Sequence, residues 1–165
     1  MPRLEDVIQQ IYGRKITQPI KTSDDVYWLL EEATALSEVE LFYAIPLNAA
    51  LMCVGPPFPL AFGRPDTVTI DTVIALRSVI GCGAARVIFA HNHPSGDPTP
   101  SPRDIQTTMN LNRAAAANHI EMLDHIILGK MKTYSMLDME GRVQSEPPSL
   151  SKNLIGISIL LGALR

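Results

Sequence analysis

A chain of 165 residues is about one domain's length, and with 46% hydrophobic and 19% charged residues it can bury a core and is too apolar for a disordered segment. Its 14 Lys and Arg are scattered against 17 Asp and Glu, a net charge of -3, with no basic run longer than Arg14-Lys15, which argues against binding nucleic acid through a dense basic face. The longest nearly unbroken apolar stretch, residues 154–164, is too short to span a bilayer, and two acids stand where a secretory leader needs an apolar block, so a cytoplasmic protein is expected.

Residues 1–19 carry a short helical pattern, Leu4, Val7, Ile8 and Ile11, read as an arm or docking helix that stops before Pro19. The segment KTSDDVYWLLEEATAL predicts a helix, with Ser23 as N-cap, Asp24 and Asp25 in the positive first turn, and Val26, Leu29, Leu30 and Ala33 on one face. From Glu40 the pattern becomes strand-like. ELFYAIPLNAALMCVG predicts a hairpin or pair of strands turning at Pro46-Leu47-Asn48 and closed by Pro56-Pro57, with a further strand near residues 67–70. Asp71 caps a helix from Thr72 to about Ile80 that the glycines at 81 and 83 end. ARVIFAHNH is almost entirely apolar up to its histidines, as a central strand buried on both faces would be. After the loop PSGDPTPS, a helix is expected from Pro102 to about Asn118, and IEMLDHIILG and KTYSM supply two last strands. Interleaved helices and strands without a strict βαβ repeat give an α/β (α+β) class with a mixed sheet. Residues 142–165 run from a polar linker into an apolar tail, a candidate self-contact that would make a homo-oligomer. Cys53 and Cys82 form no C-x-x-C pair and read as two buried thiols.

Chemistry concentrates in HNHPSGDPTPSPRD, residues 91–104. Residues two apart in an extended segment point the same way, so His91 and His93 present both imidazoles to one side. Asp104 falls in the first turn of the following helix, whose N-terminus can face the strand end. Two imidazoles and a carboxylate suit Zn²⁺ in an open site that leaves a position for water. Each piece also has a plain structural reading. An H-x-H at a strand end can be two partly solvated histidines, Ser101-Pro102-Arg103-Asp104 has the form of a helix capping box, and Gly96 with the prolines at 94, 98, 100 and 102 can be turn chemistry alone.

Together these residues resemble the motif of the JAB/MPN (JAMM) metalloprotease superfamily: a distant Glu, then H-x-H, a spacer, Ser, two residues and Asp. HNHPSGDPTPS-x-x-D is similar to the bacterial RadC-like branch, and ELFYAIPLN, VIFAHNHPSGDPTPS, IEMLDHIILG and YSMLDMEG follow the order of that domain over residues 20–141. The resemblance implies a cytidine-deaminase-like fold, a curved mixed β-sheet flanked by helices, around one catalytic zinc. By position, His91, His93 and Asp104 match the metal ligands and Ser101 the serine beside the metal-bound water. The distant Glu comes from Glu31, Glu32, Glu38 or Glu40. Glu40 is preferred because it opens the strand after the first helix, with Glu38 next.

The implied reaction is hydrolysis of an amide, peptide or isopeptide bond in a protein or peptide substrate. Zinc would acidify a water from a pKa of about 15.7 to about 7, Glu40 would carry its proton, and Ser101 would donate to the oxyanion. His125 reads as a hydrogen-bonded strand histidine, with a supporting role behind the ligands as the alternative. His119, at a helix end, is given no catalytic role, and Trp28 reads as packing or interface. RadC-like proteins commonly carry a helix-hairpin-helix DNA-binding region ahead of this domain, whereas only residues 1–19 precede the matching part here. PPFPLAFGRPDTVTIDT also stands where more polar and basic text is expected, which implies different substrate contacts. Two rival readings stay open: a catalytically silent scaffold that binds a partner protein, and a metal-dependent, DNA-associated enzyme.

Overall fold

The computed structural model describes residues 17–63 and 70–139. The N-terminal helical pattern, most of the strand expected near residues 67–70 and the apolar tail lie outside the described residues. Within them, three helices pack on one five-stranded mixed sheet, the α/β class expected from the sequence. The helices are α1 (Ser23–Thr34), α2 (Thr72–Gly81) and α3 (Pro102–Ala117), and the strands are β1 (Glu40–Leu47), β2 (Phe58–Gly63), β3 (Arg86–Asn92), β4 (Glu121–Leu128) and β5 (Thr133–Ser135). Strand order is β2-β1-β3-β4-β5, with β3 and β4 parallel and every other pair antiparallel. The parallel pair needs a crossover, which α3 supplies.

Strand alternation divides the core into two layers. Phe42 and Ala44 of β1 and Val87 and Phe89 of β3 face α2 and α3, meeting Leu76, Val79, Ile105, Leu111 and Ala115. Tyr43, Ile45 and Leu47 of β1 and Ile88 and Ala90 of β3 face α1, meeting Val26, Leu29 and Leu30. β3 lies centrally with all but its first residue buried, which explains why its sequence shows no polar alternation.

Helix caps follow from short polar side chains at the starts. Asp71 accepts from the N–H groups of Val73 and Ile74 and starts α2. α1 begins one residue earlier than expected from Ser23 as cap. Thr22 is its N-cap, because its hydroxyl accepts from Asp25 N while the Asp25 carboxylate accepts from Thr22 N, a reciprocal capping box that Ser23 cannot make with the acid three residues on from Thr22.

The expected turn at Pro46 is displaced. β1 runs through Pro46 to Leu47, and the reversal is made by Asn48, whose side-chain oxygen accepts from Ala50 and Met52 N–H. Proline is tolerated here because the β1–β2 ladder has ended at Ala44↔Phe58, so no strand partner requires its missing N–H on that side. The second strand is β2, after Pro56-Pro57 rather than before it, an edge strand that accommodates Pro59.

Both cysteines are free, but only Cys53 is partly buried, its thiol pushed up to about 11 by that burial; Cys82 caps α2 and is exposed, so the reading of two buried thiols is corrected. Trp28 is 53% exposed and meets Tyr27 edge to face, so it is not a core residue. No helix among the described residues is long and apolar enough to cross a membrane.

Candidate metal centre

His91 is the sixth residue of β3 and His93 the first residue beyond the strand, so both rings project to the side covered by α3. His91 is 1% exposed and stacks on Phe42 with the ring planes 7° apart, which fixes its orientation. His93 is held by its main chain, whose N–H donates to Leu128 O, and by its ring, whose Nδ1 lies 2.8 Å from the Asp97 carbonyl. A carbonyl can only accept, so His93 carries a proton on Nδ1 and turns Nε2 inward.

Local hydrogen bonds and a glycine turn shape the loop 94–100. The Asp97 carboxylate accepts from the Thr99 N–H and hydroxyl, and Gly96 turns the chain at φ 82°, a left-handed conformation that favours glycine. Gly96 N donates to His93 O, and Gly96 O accepts from Lys130 N in the β4–β5 turn. A Cβ on Gly129 would stand 2.5 Å from Gly96 O and 2.6 Å from Pro98 Cδ, so that turn and the His93 loop touch only because residue 129 is glycine.

The loop delivers the chain to Ser101, the N-cap of α3, with Pro102 at the first helical position. Ser101 and Asp104 form a capping box: Ser101 Oγ accepts from Asp104 N, and Asp104 Oδ2 accepts from Ser101 N at 2.7 Å and from Ser101 Oγ at 2.6 Å. The same carboxylate closes on the histidines. Asp104 Oδ1 lies 3.1 Å from His91 Nε2, Asp104 Oδ2 lies 3.5 Å from His93 Nε2, and the two Nε2 atoms are 3.0 Å apart. The capping and metal-ligand readings of Asp104 therefore coexist.

Four atoms tetrahedrally placed about 2.0–2.1 Å from a zinc ion sit about 3.3–3.4 Å from one another, close to the separations of these three. His91, His93 and Asp104 form the metal-competent cluster among the described residues. With Nδ1 of His93 protonated, its Nε2 lone pair faces a carboxylate, an arrangement that a cation makes favourable. The donor set therefore fits a divalent metal with two nitrogens and one oxygen.

The electrostatics agree with that fit. Burial lowers the His91 ring below the ordinary imidazole range against the pull of Asp104, favouring the neutral form a metal needs. His93 is raised, first by its contact with the Asp104 carboxylate, which favours positive charge at that position. Burial alone would raise the Asp104 carboxyl, but the His91 and His93 rings and the Ser101 hydroxyl set against it outweigh burial and hold the group well below the usual carboxylate range.

Glu40 opens β1 and lines, with His93, Ser101 and Arg103, a cavity of about 490 Å³. Glu38 is exposed and does not line it. A second cavity of about 550 Å³ lies on the α1 side of the His93 loop, bordered by Tyr27, Glu31, Lys130 and Met131. His93, Pro94 and Ser95 border both.

Three residues support the cluster from behind, of which only His125 has a supporting role among its readings from the sequence. Asn92 is 4% exposed, and its amide brackets Glu40 by accepting from Leu41 N at 2.8 Å and donating to Val39 O at 3.1 Å. His125, fully buried on β4, is more than a strand histidine: its Nε2 lies 2.8 Å from His91 Nδ1 and its Nδ1 lies 2.7 Å from Thr108 Oγ1. Thr108, on α3, is also buried. The signal for His125 was its place on an apolar strand paired in parallel with β3. Asn92 and Thr108 carried no signal of their own. His119 sits away from this cluster at φ 57° after α3 and closes that helix.

The chain is 33% identical over 124 residues to a UPF0758 protein of Pasteurella multocida, covering 75% of this chain and 55% of that protein. It is 38% identical over 113 residues to a UPF0758 protein of Carboxydothermus hydrogenoformans, covering 68% and 50%, and 35% identical over 116 residues to one of Shouchella clausii, covering 70% and 50%. It thus spans about half the length of the curated relatives it matches. The family model described as the RadC-like JAB domain matches residues 20–142, which takes in the whole sheet, its three helices and the histidine-aspartate cluster. By that match, this chain belongs to the RadC-like JAB domain family.

Proposed function

We propose that this chain is a zinc-dependent hydrolase of amide, peptide or isopeptide bonds. The observation that carries the reading is the convergence of His91 Nε2, His93 Nε2 and the Asp104 carboxylate beside a cavity that also holds Glu40 and Ser101. His91, His93 and Asp104 would hold the metal. When bound, zinc would supply a Lewis acid and bring the pKa of a coordinated water down to about 7.

The remaining roles belong to the chain itself. Glu40 accepts the proton of the attacking water and returns it to the leaving amine. Ser101 Oγ–H, which Asp104 accepts in this structure, turns to the carbonyl oxygen as that oxygen gains charge. The two cavities that meet at the His93 loop suit an extended peptide segment lying across the site, so a protein or peptide is the proposed substrate. The exposed, free Cys82 suits a reducing, cytoplasmic setting.

Metal content by mass spectrometry on protein purified without chelator tests the reading, with His93→Ala and Asp104→Ala beside wild type. About one zinc per chain, lost in both variants, is the expected result and opens a screen of peptide and isopeptide substrates, in which Glu40→Gln should lose about 10²–10⁴-fold in rate. A wild-type protein that takes up no metal even after reconstitution overturns the hydrolase and leaves a protein-binding scaffold. Metal-dependent cleavage of DNA, abolished in His93→Ala, would replace the substrate class instead.

A further inference from the structure

His91 can offer Nε2 to a metal only when its ring proton sits on Nδ1, and the groups behind the ring decide where that proton sits. His91 Nδ1 faces His125 Nε2 at 2.8 Å, His125 Nδ1 faces Thr108 Oγ1 at 2.7 Å, and Thr108 Oγ1 faces the main-chain carbonyl of Asp104, one turn back on α3, at 2.7 Å. His91, His125 and Thr108 are each no more than 2% exposed, so solvent does not arbitrate among them.

The direction of this chain follows from its last member. A threonine hydroxyl has one proton and here two neighbours, and the Asp104 carbonyl can only accept. If the proton pointed at His125, the hydroxyl and carbonyl oxygens would face each other 2.7 Å apart with lone pairs opposed, in a buried place where that is costly. The hydroxyl therefore donates to Asp104 O and accepts from His125 Nδ1–H. His125 is then bare at Nε2 and accepts from His91 Nδ1–H, and His91 is left bare at Nε2 against the opposing pull of the Asp104 carboxylate, whose Oδ1 lies 3.1 Å away.

We propose that Thr108 and His125 are positioning residues forming a directed relay, through which the main-chain carbonyl of Asp104 sets the tautomer of His91 and readies its Nε2 for a cation. The relay links two members of the cluster from behind: it ends on the backbone of the residue whose carboxylate faces the same Nε2. His93 has the matching arrangement by a shorter route, through the Asp97 carbonyl. The proton order is independent of the proposed hydrolysis, whereas its consequence for metal affinity rests on that reading.

The test begins with long-range ¹H–¹⁵N correlation spectra of the metal-free chain in mildly alkaline buffer, where neutral imidazoles reveal which nitrogen carries hydrogen. Both His91 and His125 should be protonated on Nδ1. A proton on Nε2 of either ring overturns the relay whatever the metal does. Next, zinc affinity is measured by competition with a chromogenic chelator. Thr108→Val, close in shape and lacking the hydroxyl, should weaken zinc binding about 10–100-fold, with His91 shifting toward the Nε2–H form, while Thr108→Ser should stay close to wild type. Equal affinity and an unchanged His91 tautomer in Thr108→Val would overturn the relay and leave the metal site standing. A wild type with the expected tautomers that binds no zinc would overturn the metal site and leave the relay.

Discussion

Ser101 and Asp104 cap a helix and border the histidine pair through one carboxylate: Asp104 Oδ2 accepts from Ser101 N and Oγ and lies 3.5 Å from His93 Nε2, while Asp104 Oδ1 lies 3.1 Å from His91 Nε2. The cap fixes the carboxylate where the histidines need it, so local helix chemistry supplies part of the site's preorganisation. The two duties of Ser101 separate in variants. Ser101→Ala should cost about 1 kcal/mol of stability and Ser101→Gly only a few tenths, because glycine is tolerated at an N-cap. Both should lose about 10²–10³-fold in any hydrolysis in which the hydroxyl faces the oxyanion. Urea unfolding and rates on the same samples decide. If activity tracked stability across the pair, the hydroxyl would be a cap alone.

Asn92 tests whether Glu40 is positioned from behind. Its side chain ties Val39 O and Leu41 N, the main-chain groups on either side of Glu40, to the end of the strand that carries His91. Asn92→Ala strands both groups and should cost about 1–3 kcal/mol. Because no metal-competent side chain is altered, zinc stoichiometry should remain at the wild-type value while turnover falls toward that of Glu40→Gln. Metal analysis beside steady-state rates checks this, and turnover at the wild-type level in Asn92→Ala would mean that Glu40 is held by other contacts or has no part in the reaction.

Gly129 makes a sharper prediction about the loop. An added methyl must displace Gly96 O or Pro98, which lie under 3 Å from its ideal position, and forced overpacking of this kind costs about 1–3 kcal/mol. The displaced segment carries His93, so Gly129→Ala should also weaken zinc binding. Gly83→Ala is the control. It strains a residue at φ 69°, at a comparable cost of about 1–2 kcal/mol, yet meets nothing within 4 Å and stands at the end of α2. Loss of zinc affinity in Gly129→Ala alone ties the metal centre to this close approach. Equal losses in both would make the effect one of general stability.

The sequence makes most of this arrangement legible where the determinant is local. Asp71, Ser101 and Pro102 start their helices because a short acceptor or a fixed φ satisfies the first turn. β3 is legible as a central strand because a segment buried on both faces has no reason to alternate. What was misplaced depended on partners distant in the chain. Pro46 reads as a turn until the β1–β2 ladder is seen to end before it, and β2 is an edge strand with weak alternation. The cluster shows the same division. His91, His93 and Asp104 are joined by one short loop, so their convergence can be read from spacing. Thr108 and His125 are joined by hydrogen bonds between α3 and β4, and Asn92 reaches the far end of the β1 register. No periodicity encodes those contacts.

Asp124 gives a pH dependence with a definite sign. Its buried carboxyl accepts from the N–H groups of His125, Leu137 and Met139 and from the Ser135 hydroxyl, pinning the chain that follows β5. Burial outweighs those donors and pushes its pKa up to about 6 from 3.8. An acid whose pKa is raised on folding holds its proton more tightly in the native state, so its contribution is complete below about pH 4 and is lost as pH rises through about 6. At 1.36 kcal/mol per unit the loss is about 3 kcal/mol. The buried His91 and His125 rings, lowered chiefly by burial, act oppositely in this window, since they resist protonation and lose stability as pH falls. Asp124's share is therefore the difference between wild type and Asp124→Asn, which keeps one acceptor oxygen and cannot ionise. Asparagine should cost about 1–3 kcal/mol near pH 4, where it leaves the Met139 N–H only its longer contact with Ser135 Oγ at 3.4 Å, and progressively less by pH 7 as wild type loses the protonated form. Urea unfolding of metal-free protein across that range measures the gap. A gap that widened with pH would show that the four donors win over burial and that Asp124 is an ordinary ionised carboxylate in the fold.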